Sequence, residues 1–164
     1  MVSSIPYNVT TTNKSSQHRS RRSARQLALQ ILFQEEFQEM NPALLEEFWM
    51  TQKASDDVRL YSSNIVEGVQ THQEELDALI NRFATEWSLN RMPVVDRNIL
   101  RCALFELLWL PDIPAKVTIN EAIELAKRFA DDESKRFVNG LLDRILQSDS
   151  RLETKRAEMM SPRE

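Results

Sequence analysis

Glycine is scarce in this sequence, with only two residues among 164. Phosphate-binding loops of the Walker and dinucleotide types need closely spaced glycines, because the backbone must approach the phosphates. The scarcity excludes both kinds of loop. Gly140 falls within a predicted helix, where glycine costs about 1 kcal/mol relative to alanine. We expect it to allow the close approach of a neighbouring helix.

Cysteine and histidine are also rare. The single Cys102 excludes an internal disulfide and is typical of a reducing compartment. His18 and His72 lie far apart, so the sequence predicts no metal-ligand cluster. Cys102 lies in the most apolar segment, which favours a buried structural thiol over a nucleophile. We therefore predict that the protein is not an enzyme and has no catalytic residues, metal or cofactor.

Long apolar runs are missing as well. No segment approaches the roughly 18–20 apolar residues that span a bilayer, so we expect no membrane partner. The opening segment, MVSSIPYNVTTTNKSS, has no apolar core of the kind found in signal peptides. We expect a cytoplasmic protein.

Acidic residues are absent from the first 34 positions, although the chain as a whole has a formal net charge of −4. The charged residues of this segment are all cations, and they are Lys14, Arg19, Arg21, Arg22 and Arg25. The segment thus carries +5, and the rest of the chain must carry −9. A basic arm on an acidic body is typical of nucleic-acid binding. Charge alone fits a solvated, disordered tail equally well.

Helical periodicity dominates the rest of the sequence. Residues 1–18 show no period and predict a disordered basic arm, whereas apolar residues recur at helical spacing from Ser20 onward. The sequence predicts an all-α fold of about seven helices in two packed bundles, as subdomains of about 19–90 and 91–147. The tail over 148–164 is predicted to be flexible.

Several helix boundaries are marked by local signals. The first predicted helix spans about 20–40, the fifth about 94–110 and the last about 132–147. Asn41 before Pro42, and Ser55 before two aspartates, predict helix starts. Two further helix starts are predicted by the capping-box spacing of Thr71–Glu74 and Thr118–Glu121.

Candidate RNA contacts fall on the first helix. At 100° per residue Arg22, Gln26 and Phe33 share one face. Single-stranded RNA is bound by aromatic rings that stack on bases, with cations beside them. The alternative is that Phe33 belongs to the core.

Two further groups allow the same two interpretations. Asp96, Arg97 and Arg101 form a polar strip on an otherwise apolar helix, either an internal set of salt bridges or a binding surface. Lys135 and Arg136 precede Phe137. These residues are either a solvated turn followed by a core aromatic or an RNA contact.

Three blocks resemble one family in order and spacing: RRSARQLALQILFQ, VVDRNILRCALFEL and DIPAKVTINEAIELAKRFADDESKRFVNGLLDRI. That family is NusB, the bacterial transcription antitermination factors, and the resemblance covers about residues 21–145. It implies an all-helical fold and RNA binding without enzymatic activity. It also implies binding of the boxA element of ribosomal RNA leaders together with NusE, a small-subunit ribosomal protein. Other Nus factors and RNA polymerase are implied as indirect partners, and a homodimer as a further state.

The resemblance also implies RNA-binding residues, taken position by position. They are Arg21, Arg22, Arg25, Phe33, Asp96, Arg97, Arg101, Glu133, Lys135, Arg136 and Phe137. Many family members have tyrosine where this chain has Phe33, so the stacking face is kept and the hydroxyl is lost. Ser23 stands where some relatives have another arginine.

Two rival functions remain at this point. The same fold resembles the RNA-binding domain that precedes some ribosomal RNA cytosine methyltransferases, although we expect no room here for such a catalytic domain. The other rival is a protein-binding or dimeric scaffold that has lost RNA recognition.

Overall fold

The computed structural model describes residues 14–85 and 87–161, and within these ranges the chain forms eight α-helices and no strand. The helices are α1 Lys14–Glu35, α2 Pro42–Thr51, α3 Asp56–Thr71, α4 Gln73–Phe83, α5 Val94–Trp109, α6 Ala115–Phe129, α7 Asp132–Ser148 and α8 Glu153–Met160. Short 3-10 turns occupy Leu89–Arg91 and Ser150–Leu152. The prediction of an all-α fold is confirmed. None of the helices in the described ranges is long and apolar enough to cross a membrane.

The first helix is displaced from its predicted limits. α1 begins at Lys14, so residues 14–18 are helical where a disordered arm was predicted, and residues 1–13 lie outside the described part. No proline or glycine lies between Lys14 and Glu35, which lets the helix extend through polar residues. α1 ends at Glu35 rather than near Met40, and a turn leads to α2.

Helix α5 lies at the centre of the fold. It contacts α1, α3, α4, α6 and α7, and its Ile99, Leu100 and Leu104 are fully buried. Buried apolar side chains from Ala28 to Leu152 belong to one cluster. The helices before and after Arg91 therefore share a single core.

Two of the predicted helix starts have the expected caps. Asn41 Oδ1 accepts a hydrogen bond from the Leu44 N–H at 2.9 Å, and Ser55 Oγ accepts one from Val58 at 3.3 Å. Each satisfies a backbone donor that the first turn of a helix leaves unpaired.

Neither predicted capping box is formed. α4 begins after His72, which makes no side-chain cap. α6 begins at Ala115, directly after Pro114, so Thr118 is buried inside the helix and its Oγ1 has no partner. The spacing predicted the wrong start because proline, whose fixed φ suits a helix entrance, precedes it by four residues.

The close helix approach occurs at Gly68 and not at Gly140. A Cβ added to Gly68 on α3 would overlap the ring of Phe105 on α5. Gly140 is exposed, and a Cβ there would meet nothing within 4 Å. The expectation for Gly140 was wrong because this residue lies on the outer face of α7.

The C-terminal segment is ordered in place of the predicted flexible tail. Leu152 is fully buried, and Lys155 on α8 donates to the carbonyl oxygens of Glu106, Leu110 and Ile113 at 2.9, 2.7 and 2.6 Å. Carbonyls beyond the last turn of a helix lack intrahelical donors, and a lysine can satisfy them. The Glu106 carbonyl also accepts a hydrogen bond from the Leu110 N–H at 3.1 Å. α8 therefore closes the C-terminal end of α5, while residues 162–164 lie outside the described part.

Candidate nucleic-acid interface

One face of α1 carries exposed side chains of the kinds that bind RNA. The Arg22 side chain is 44% exposed and Phe33 is 40% exposed. Eleven residues separate them, which places them about 16 Å apart along the helix. Phe33 also meets the exposed Phe37 edge-on, with ring centroids 5.2 Å apart. The structure therefore places Phe33 at the surface and not in the core.

Arg22 is held in place from α6. Its Nε and Nη2 donate to the two oxygens of Glu121 at 3.1 and 2.9 Å. These hydrogen bonds raise the pKa of Arg22, so its charge is permanent. Arg21 lies over the ring of Tyr61, 5.4 Å from the centroid, and Arg19 is exposed. At the start of α1, Arg19 and Arg22 thus lie at the surface, and Glu121 balances the charge of Arg22.

Arg25 occupies a different environment. It and Glu106 are each only 3% exposed, and their charged groups are 2.7 Å apart. The Tyr61 hydroxyl donates to the same Glu106 oxygen at 2.7 Å. An RNA phosphate cannot reach Arg25 without opening the core. The structure gives this arginine a structural role in place of the predicted phosphate contact.

The arginines of α5 also point inward, toward acids of other helices. Arg97 pairs with Glu36 at 2.7 Å, and Arg101 pairs with Glu36 at 3.0 Å and with Asp77 at 2.7 Å. Burial alone would raise the pKa of Glu36, but hydrogen bonds from Arg97 hold it below its usual value. Of the two interpretations of this strip, the internal set of salt bridges is the one observed for both arginines. They join the segment after α1 to α4 and α5.

Asp96 faces a cavity between the start of α5 and the start of α7. The cavity has a volume of about 180 Å³. Its apolar lining residues are Trp87, Met92, Pro93 and Phe137, and its polar ones are Asp96, Asp131, Glu133 and Ser134. Three predicted site residues, Asp96, Glu133 and Phe137, are therefore brought together. Lys135, half-buried, and Arg136, exposed, lie beside this cavity on α7 without lining it.

A second hollow also includes a residue from the first turn of α5, Val95. It is lined by Leu29, Gln30, Phe33, Gln34, Val95 and Phe129. Val95 and Asp96 are consecutive, so the first turn of α5 contributes one residue to the hollow around Phe33 and one to the cavity around Phe137. Trp87 lies in the loop after α4, and Phe129 is the last residue of α6. Neither belongs to a periodic pattern, so the sequence does not predict them.

The NusB family model matches residues 22–147 of the chain. This protein belongs to the NusB family. The transcription antitermination protein NusB of Myxococcus xanthus is 47% identical over 131 residues, which cover 77% of this chain and 94% of that protein. That of Desulfitobacterium hafniense is 41% identical over 147 residues, with 87% and 98% covered.

Solved NusB structures share the fold. T. maritima NusB superposes with a TM-score of 0.74 at 39% identity, over 84% of this chain and 96% of that one. A crystal structure of the antitermination factors NusB and NusE in complex with double-stranded RNA gives a TM-score of 0.69 at 29% identity, over 79% and 98%. The resemblance to the NusB family is thereby confirmed. These relatives are named as antitermination proteins and not as enzymes, which agrees with the predicted class.

The described ranges of this NusB-family chain contain no cluster of metal-binding side chains. Among those residues, no three or more His, Cys, Asp or Glu side chains could hold a metal ion. Cys102 is buried, and burial raises the pKa of its thiol to about 12. Because the thiolate is the reactive form, Cys102 is a structural thiol.

Proposed function

We propose that this protein is a transcription antitermination factor that binds boxA-type single-stranded RNA of ribosomal RNA operons. It acts together with the small-subunit ribosomal protein NusE and prevents premature termination by RNA polymerase. Other Nus factors join the complex and are indirect partners. The observation that carries the proposal is the exposed face of α1. Arg22 and Phe33 are both exposed on this face, and Phe33 lines the hollow beside α5.

Phosphates of the RNA are held by the start of α1. Arg19, Arg21 and Arg22 supply the contacts, and Glu121 fixes the direction of Arg22. Lys135 and Arg136 on α7 add positive charge beside the cavity. Arg97 and Arg101 support this surface through their ion pairs and do not themselves bind the RNA.

Bases of the RNA are held by stacking on exposed rings. Phe33 is 40% exposed and lines the hollow together with Val95 and Phe129. Stacking of a base on an aromatic side chain contributes about 1–3 kcal/mol and does not require a hydroxyl. The replacement of the family's tyrosine by Phe33 is therefore compatible with base binding.

The protein partner is recognised by charge. Outside its basic start the chain is acidic, with −9 over the residues after position 34. A ribosomal protein is basic, so the two potentials are complementary and steer association. The same acidic surface discourages RNA from binding outside the α1 face.

A direct test compares three labelled RNAs at two salt concentrations, each with and without NusE. The RNAs are a boxA strand, a scrambled strand of the same composition and a boxA duplex. We expect the boxA strand to bind at least tenfold more tightly than either control, and NusE to widen that difference. The duplex is an informative control, because a NusB–NusE complex with double-stranded RNA is among the related structures.

Equal binding of all three RNAs, driven by salt and unaffected by NusE, would contradict the proposal and favour a scaffold that has lost RNA recognition. Light scattering in the same samples tests the homodimer, which stays a prediction. We also propose a cytoplasmic location, where nascent ribosomal RNA is made.

A further inference from the structure

The ring of Tyr61 on α3 lies next to two arginines of α1. The guanidinium carbon of Arg21 is 5.4 Å from the centre of this ring, and that of Arg25 is 5.6 Å from it. A cation at such a distance is attracted by the face of an aromatic ring. Arg25 is buried, whereas Arg21 and Tyr61 are only half-buried. The ring therefore connects the buried Arg25 to an arginine that solvent can reach.

Arg21 differs from Arg22 and Arg25 in the group that holds it. Arg22 donates to Glu121 and Arg25 donates to Glu106, so each of these arginines is oriented by an acid that also balances its charge. Within residues 14–85 and 87–161, Arg21 forms no ion pair, and its contact is with the Tyr61 ring. A ring attracts the cation without carrying an opposite charge and without accepting its N–H donors one by one. Arg21 thus keeps its full charge and its donors for an incoming anion.

The position of the Tyr61 ring is itself fixed. Its hydroxyl donates to Glu106 at 2.7 Å, and Glu106 is held in turn by Arg25. Burial, together with the charge of Glu106, raises the pKa of Tyr61 above its usual value, so the phenol stays neutral beneath Arg21. The buried ion pair therefore determines where the ring lies, and the ring determines where Arg21 lies.

We infer that Tyr61 is a positioning residue for RNA binding, and that its ring orients Arg21 toward a phosphate of the RNA. A guanidinium that lies over a ring keeps its N–H edge free, and paired N–H groups on that edge can bind two phosphate oxygens. Tyr61 acts through Arg21 and does not itself touch the RNA. The inference rests on the proposed function, since the phosphate belongs to the RNA held at the start of α1.

The experiment is a double-mutant cycle in which the affinity for the boxA strand is measured. The proteins are the wild type, Tyr61→Leu, Arg21→Gln and the double variant. Tyr61→Leu alone is expected to weaken binding about three- to fivefold, the size of one cation–ring contact. Added to Arg21→Gln, the same change is expected to weaken binding by less than about 1.5-fold, because no cation is left for the ring to orient.

Tyr61→Phe separates the ring from the hydroxyl. It keeps the ring and, like Tyr61→Leu, loses the hydrogen bond to Glu106, so both variants share any cost of that bond. Tyr61→Phe is expected to recover most of the affinity that Tyr61→Leu loses. Thermal unfolding of each variant shows that it is folded at the temperature of the titration.

Phe83→Leu is the matched control for the loss of a ring beside an arginine. Arg82 on α4 lies over Phe83, 5.4 Å from the ring centre, which is the same distance as for Arg21 and Tyr61. Neither residue belongs to α1. Phe83→Leu is expected to leave the affinity for the boxA strand unchanged.

The outcomes distinguish this inference from the proposed function. Equal losses from Tyr61→Leu with and without Arg21 would show that Tyr61 acts through the core, and wild-type affinity in Tyr61→Leu would show that it has no role in binding. A loss in Tyr61→Phe as large as in Tyr61→Leu would assign the effect to the hydroxyl. Each of these results overturns the inference and leaves the proposed function standing. A wild type that binds boxA and scrambled strands alike contradicts the proposed function alone, because phosphate contacts carry no sequence information.

Discussion

Replacement of Arg25 by methionine is expected to lower the free energy of unfolding by about 3–5 kcal/mol. The change leaves the carboxylate of Glu106 buried without its cation, in a site where Arg25 donates three hydrogen bonds to it at 2.7–3.1 Å. Tyr61 alone then pairs with the charge. Denaturant unfolding of the wild type and the variant measures the effect.

An exposed ion pair supplies the matched control for this prediction. Arg59 and Glu46 are 2.8 Å apart, with side chains 46% and 59% exposed. Arg59→Met is expected to cost less than about 1 kcal/mol. The double change Arg25→Met with Glu106→Leu is expected to recover much of the loss, because no charge is left buried. A cost for Arg25→Met no larger than that for Arg59→Met would show that the buried pair does not hold α1 against α5.

Simultaneous replacement of Arg19, Arg21 and Arg22 by glutamine is expected to weaken RNA binding about a hundredfold at 0.1 M salt. Each phosphate contact with a single strand contributes about 0.7 to the slope of log K against log salt, so three contacts contribute about 2. The slope is expected to become flatter by that amount, and the boxA and scrambled strands should be affected alike. Titrations at four salt concentrations measure both quantities.

A second triple variant controls for the loss of net charge. The exposed arginines outside α1 include Arg59 on α3, Arg82 on α4 and Arg144 on α7. Their replacement by glutamine removes the same number of positive charges, three, without changing α1. We expect its salt slope to stay close to that of the wild type. If the slope of log K against log salt becomes flatter by the same amount in both variants, RNA binding depends on the total charge of the protein and not on the α1 face.

Local sequence signals predict most of the helices correctly. The spacing of apolar residues identifies α1 to α7, and the side chains of Asn41 and Ser55 identify two starts, since both depend only on neighbours in the chain. Thr118 illustrates the limit of such signals. Its capping-box spacing is present, but Pro114 begins the helix earlier.

The α1 face is predictable because the period of one helix places Arg22 and Phe33 on the same side. The burial of Arg25 is not, because its partner Glu106 lies 81 residues away and no local pattern links them. The order of the C-terminal segment is missed for the same reason, since Lys155 meets carbonyls 42 to 49 residues earlier. Trp87 joins the candidate site only when the folded chain brings it to Asp96 and Phe137.

Read-through in a purified transcription reaction tests the central claim most directly. RNA polymerase transcribes a template with a boxA leader before a terminator, with NusE and the other Nus factors present, and the fraction of full-length RNA is measured with and without this protein. We expect the protein to increase that fraction on the boxA template and to have no effect on a template with a scrambled boxA or when NusE is omitted. An equal increase on both templates, or no increase on either, would contradict the assignment of this chain as a boxA-dependent antitermination factor.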